Sequence, residues 1–89
     1  EVEAALLAHP SVSECAVVGI SDVERGSLVK AFVVLRDGTD ENEAIKQTLQ
    51  DFVKKTIAPY KYPRSIEFRK SLPKTETGKI QRFRLREEG

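Results

Sequence analysis

The segment from Glu41 to Ile57 constrains the fold more than any other. Ile45, Leu49, Phe52 and Val53 fall at helical spacing, acids come early, and Lys54-Lys55 come late, as the helix dipole favours. A turn, Arg36-Asp37-Gly38-Thr39-Asp40, precedes this helix and Ala58-Pro59 stops it. β-Branched runs lie on both sides. Val12 to Ile20 and Val29 to Leu35 come before it, separated by a loop at Ser21-Asp22 and Gly26, and are expected to neighbour each other in one sheet. Ser65-Ile66-Glu67-Phe68-Arg69 alternates after it as a third strand. In 89 residues this pattern predicts an α+β domain, a small three-stranded sheet flanked by helices, with one modest core and no room for a deep enclosed pocket.

The remaining segments are shorter. Glu1 to Ala8 carries Val2, Ala5 and Leu6 at helical spacing and ends at His9-Pro10. It opens without a capping residue, so a longer chain upstream is expected. Tyr60 to Arg64 reads as an extended segment, Leu72 to Lys79 as a loop, and Gln81 to Glu88 as a terminal helix or a frayed end. Cys15 is the single cysteine, which excludes an internal disulfide and a multi-cysteine metal site; within an apolar strand it is expected as a buried structural thiol. His9, at the end of the first helix, is placed to interact with the helix dipole. No apolar run approaches the roughly 18 residues that span a bilayer.

The formal charge of +1 conceals a polarity. Residues 1–53 hold ten acids and four bases, whereas residues 54–89 hold four acids and eleven bases. The second part is suited to anions, and charge alone leaves nucleic acid, a membrane surface and a small polyphosphate all open.

Pro73-Lys74-Thr75-Glu76-Thr77-Gly78-Lys79 gathers two lysines and two hydroxyls around a glycine, all able to face a phosphate or carboxylate. It is not a P-loop. That pattern needs Gly where Pro73 stands and Ser or Thr where Ile80 stands, so the hydroxyl for magnesium is missing. Taken alone, the loop reads as an exposed, solvated segment.

The surrounding residues change that reading. Glu1-Val2-Glu3, His9-Pro10, Ala16-Val17-Val18-Gly19, Arg25-Gly26, Ala31-Phe32-Val33-Val34-Leu35, Ala58-Pro59-Tyr60-Lys61-Tyr62-Pro63-Arg64 and Leu72-Pro73-Lys74-Thr75-Glu76-Thr77-Gly78-Lys79-Ile80-Gln81-Arg82 follow in order. Together they resemble the carboxy-terminal lid domain of the adenylate-forming enzymes across nearly the whole chain. The Ala-Pro-Tyr-Lys-Tyr-Pro-Arg run looks most like that of medium-chain acyl-CoA synthetases and benzoate-CoA ligases.

The resemblance implies that residues 1–89 are the mobile carboxy-terminal lid of an AMP-forming acyl-CoA synthetase, inactive without its own N-terminal adenylation domain. The substrates implied are ATP, coenzyme A and a carboxylic acid, with Mg2+ accompanying ATP but no ligand for it in this chain. Lys79 would be the catalytic, ATP-binding lysine of adenylate formation, its loop shaped by Thr75, Thr77 and Gly78. Arg25, Lys54, Tyr62, Pro63 and Arg64 would contact coenzyme A, with phosphates on the cations and adenine stacked on Tyr62. The loop also resembles a pattern used by lysine acetyltransferases, which makes Lys79 an acetylation candidate. Neither nucleic acid nor membrane is expected as a partner. The compartment would be cytoplasm in a bacterium and mitochondrial matrix in a eukaryote. The rival from another class is a small RNA-binding module, with Tyr60, Tyr62, Phe68 and Phe83 interleaved among the bases; it lacks an RRM's aromatic strand signature and a KH Gly-x-x-Gly loop. A second rival keeps the family resemblance but makes the chain a free-standing lid-like interaction domain.

Overall fold

The computed structural model describes residues 2–22, 26–57 and 62–88. Its elements are α1 (Val2–Leu7), β1 (Val12–Asp22), β2 (Gly26–Leu35), α2 (Glu43–Thr56), β3 (Ser65–Phe68) and α3 (Arg82–Glu88). The sheet order is β1-β2-β3, antiparallel between β1 and β2 and parallel between β2 and β3. A parallel pair needs a crossover, and α2 supplies it. The α+β architecture with a three-stranded sheet agrees with the sequence pattern.

The central strand β2 is covered on both faces, which is why Ala31 to Leu35 is one continuous apolar run. On the first face, Cys15, Ala31, Val33 and Ile66 meet Ala5 and Leu6 of α1 and Leu49 and Val53 of α2. On the second face, Ala16, Val18, Phe32 and Val34 meet Leu72, Leu85 of α3 and the partly buried Ile80. Each fully buried leucine contributes about 2 kcal/mol of transfer free energy. For α3 that contact decides between helix and frayed end, since seven residues make only a marginal helix unaided.

Three details depart from the sequence pattern. The expected loop at Ser21-Asp22 and Gly26 is largely ladder, because β1 extends to Asp22, which pairs with Gly26. Helix α2 begins at Glu43 instead of Glu41, where the Asn42 side chain accepts the Ile45 backbone N–H at 2.9 Å and satisfies one of the free donors of the first turn. Near the start of β1 the register shifts between Val12 and Glu14, an irregularity that leaves Ser13 without a partner on β2. This bulge turns Val12 into the first-face core and leaves Glu14 opposite Val34, on the second face.

Two single residues complete the core. Cys15 is buried as expected, and burial, aided by the nearby Glu3 charge, pushes its thiol up to about 11. His9 accepts the Ser11 N–H at Nδ1 (3.1 Å) and meets Phe52 edge-on, ring centroids 5.0 Å apart. It therefore packs α1 against α2. Among the described residues, no helix is long and apolar enough to cross a membrane.

Candidate functional site

The loop carrying Lys79 is a tight hairpin. Lys74 and Ile80 form an antiparallel bridge, the Thr75 N–H donates to the Lys79 carbonyl (2.9 Å), and the Gly78 N–H donates to the Thr75 carbonyl (3.0 Å). Gly78 has φ 89°, a left-handed backbone that side chains resist, as in three-residue hairpin loops that close with a glycine. The Thr75 hydroxyl accepts the Lys79 backbone N–H (3.1 Å) and lies 3.1 Å from the Thr77 hydroxyl. Thr75, Thr77 and Gly78 thus shape the loop internally. The tip, including Lys79, is exposed.

Both arms of the hairpin are tied down. Ile80 packs against the second-face core, and the Gln81 N–H donates to the Pro73 carbonyl (2.9 Å). Lys74 forms an ion pair with Glu14, which the bulge has placed on the same face. Arg82 grips Glu3 of α1 through two nitrogens, Nε reaching Oε2 at 2.8 Å. The same Oε2 accepts the Val17 N–H (2.8 Å), so the carboxylate also satisfies a donor on the outer edge of β1. The Arg82 hydrogen bond, assisted by the Val17 N–H, outweighs burial and holds the Glu3 carboxyl below its ordinary range; in return Arg82 is raised, chiefly by its bond to Glu3.

A second cluster forms on the first face. Lys54, in the last turn of α2, lies 4.2 Å from the centroid of the Tyr62 ring, and the Arg64 guanidinium lies 4.9 Å from it. Such distances allow cation–π attraction, and two cations beside one ring make a seat for an anion with an aromatic surface. Pro63 is fully buried between them and its carbonyl accepts the Gln50 side-chain amide (3.1 Å), while the Arg64 N–H donates to Val29 of β2 (3.1 Å). Pro63 is therefore the fixed corner that holds Tyr62 and Arg64. Lys54 is also 4.0 Å from Asp51, one turn earlier on the helix.

Of the sequence-predicted residues, the structure gathers Thr75, Thr77, Gly78 and Lys79 in one place and Lys54, Tyr62, Pro63 and Arg64 in another. Arg25 lies outside the described residues, as does Tyr60. Tyr62 packs against the first-face core and Ile80, next to Lys79, against the second, so the two groups are separated by the sheet. Phe68 packs on the first face with Tyr62, whereas Phe83 is exposed on α3, so the described aromatics of the RNA-binding reading are not gathered on one surface. An open groove of about 780 Å3 runs past Ser13, Glu14, Arg36, Asp37, Arg69 and Lys70, and none of the predicted site residues lines it. Sequence reasoning gave no role to Glu3, Glu14 and Asn42: Asn42 carried a local signal, an N-cap residue before an apolar period, Glu3 stood in the matching run Glu1-Val2-Glu3 with no partner indicated, and Glu14 carried no signal.

Comparisons with known proteins agree with this architecture. The family of AMP-binding enzyme C-terminal domains matches residues 1–79. The mitochondrial acyl-coenzyme A synthetase ACSM3 of Mus musculus is 52% identical over 88 residues, 97% of this chain and 15% of that protein. Benzoate–CoA ligase of Thauera aromatica is 56% identical over 86 residues, 97% of this chain and 16% of that enzyme. The crystal structure of Brucella canis acyl-CoA synthetase superposes with a TM-score of 0.95 at 49% identity, over 98% of this chain and 16% of that one. The chain thus spans well under a fifth of the length of these relatives and belongs, with the corresponding part of each, to the family of AMP-binding enzyme C-terminal domains.

Proposed function

We propose that this chain is the carboxy-terminal lid of an ATP-dependent acyl-CoA ligase whose adenylation domain is a separate, N-terminal part of the same protein. In the first half-reaction a substrate carboxylate oxygen attacks the α-phosphorus of ATP and pyrophosphate leaves, giving an acyl-adenylate. In the second, the sulfur of coenzyme A attacks the acyl carbon, the thiol proton is lost and AMP departs. Lys79 serves the first step: two anions must meet, and an ammonium between carboxylate and phosphate offsets their repulsion as charge shifts to the leaving oxygen. Thr75, Thr77 and Gly78 hold the hairpin that presents it. Lys54, Tyr62 and Arg64, cornered by Pro63, receive the nucleotide end of coenzyme A, and Arg25 joins them on sequence resemblance alone.

The observation that carries this reading is the division of the two groups between opposite faces of one small sheet. A rigid domain cannot turn both faces to one active centre at once, so a two-step reaction needs it to rotate between steps. Exposure of the hairpin tip and of Arg64 leaves each group free to meet another domain. The same exposure makes the Lys79 amine reachable for acetylation, which would remove its charge.

The test uses the full-length enzyme. Lys79→Ala should lower acyl-adenylate formation from acid and ATP by on the order of 10² or more, as loss of a preorganised electrostatic group does, while thioester formation from supplied acyl-adenylate persists. Acetylated Lys79, identified by mass spectrometry, should behave as Lys79→Ala does. Arg64→Ala should chiefly raise the KM for coenzyme A. Equal loss of both half-reactions in Lys79→Ala, or an Arg64→Ala effect confined to ATP, would contradict the assignment.

A further inference from the structure

We infer that Glu3 and Arg82 are a positioning pair for Lys79: the α1 carboxylate, by gripping the first residue of α3, sets where the outgoing arm of the hairpin holds the lysine. This rests on the reading of Lys79 as the lysine of adenylate formation. The geometry has three parts. The carboxylate takes two nitrogens of Arg82 and the Val17 N–H, so it is fixed to the backbone of β1 and passes that position on to Arg82. Only Ile80 and Gln81 separate Arg82 from Lys79, a chain reach of at most about 10 Å. That reach has no slack, because Ile80 is packed and the Gln81 N–H is bonded to Pro73. On the incoming arm Lys74 is held by Glu14, so the exposed tip is suspended between two ion pairs that reach back to α1 and β1.

The pair suits positioning better than stabilisation. The Arg82 and Glu3 side chains are 43% and 27% exposed, respectively, and ion pairs at such sites contribute about 1 kcal/mol or less to folding. A displacement of about 1 Å in a reacting group, however, can cost roughly 10²-fold in rate. Loosening the pair should therefore spare the fold while it slows the step that Lys79 serves.

In the full-length enzyme, Glu3→Gln keeps an acceptor for Val17 and removes the charge, Arg82→Gln removes the grip, and Arg82→Lys keeps the charge alone. We expect Glu3→Gln and Arg82→Gln each to lower the kcat of acyl-adenylate formation about tenfold, with Arg82→Lys between them and wild type. Thioester formation from supplied acyl-adenylate should stay within about twofold of wild type. Combined with Lys79→Ala, neither substitution should reduce adenylation further, because residues acting through one group are not additive. A deficient Lys79→Ala beside an unimpaired Arg82→Gln overturns this inference alone, and so does loss of both half-reactions alike. Normal adenylation by Glu3→Gln with a deficient Arg82→Gln overturns it in favour of a direct Arg82 contact with substrate. Full adenylation by Lys79→Ala removes the reading of Lys79 and this inference together.

Discussion

Cys15 and Glu3 meet where α1 crosses β1, the thiol 3.5 Å from the Glu3 carbonyl oxygen. Burial first, and the Glu3 charge second, raise the thiol from its ordinary 9.0 to about 11. Since a thiol reacts as its thiolate, Cys15 should resist alkylation at neutral pH in the folded chain and react on unfolding. The same shift has a sign in stability. Between about pH 9 and about pH 11 the unfolded thiol loses its proton while the folded one keeps it, so stability conferred by the neutral buried thiol is full below that window and is lost through it. Thermal unfolding of wild type and Cys15→Ala across pH 8 to 11 checks this, with the pH values set by the usual thiol range. The gap between the two melting curves should change in that window, wild type losing more than the variant, and parallel curves would remove the contribution.

At the scale of elements, α2 was legible because its apolar period, its early acid and its late lysines all agree, yet its start was misplaced by two residues. Acidic Glu41 resembles a first-turn residue, but the Asn42 side chain is the better acceptor for the Ile45 N–H, and that bond fixes the boundary. Asn42→Ala in the 89-residue chain should lower stability by about 1 kcal/mol and Asn42→Gly by only a few tenths, read from urea midpoints at unchanged slope. Equal losses for the two would mean that the cap geometry is immaterial. The bulge at Ser13 was not legible. A period-two reading from Val12 would put that residue on the face of Ala16 and Val18, and only the packed core reveals that an extra residue reverses it. The strand ends at Asp22 and Gly26 were hidden for a different reason: their pairing follows from ladder continuation beyond the apolar residues, which turn-forming composition masks.

For the molecule as a whole, the residues of the candidate site were readable from motif but their placement was not. Ala31 to Leu35 is apolar at every position, so parity along β2 names no working face, and Arg82 finds its carboxylate 79 residues away. What folding adds is separation. The Lys79 hairpin stands on the core of Leu72, Ile80 and Leu85, the Tyr62 cluster on that of Leu49, Val53 and Ile66, and the sheet lies between. Distant sites with no shared partner behave additively to within roughly 0.5 kcal/mol, so a Lys79→Ala, Arg64→Ala double variant of the full-length enzyme should be decomposable. Its acyl-adenylate formation should equal that of Lys79→Ala, and its thioester formation from supplied acyl-adenylate should equal that of Arg64→Ala. If the double variant instead falls well below either single in its own half-reaction, the two faces communicate through the sheet. The central strand would then have to transmit the effect, because β2 carries both Val33 on one core and Phe32 on the other, and a repacking Phe32→Leu would alter the coupling without touching either group.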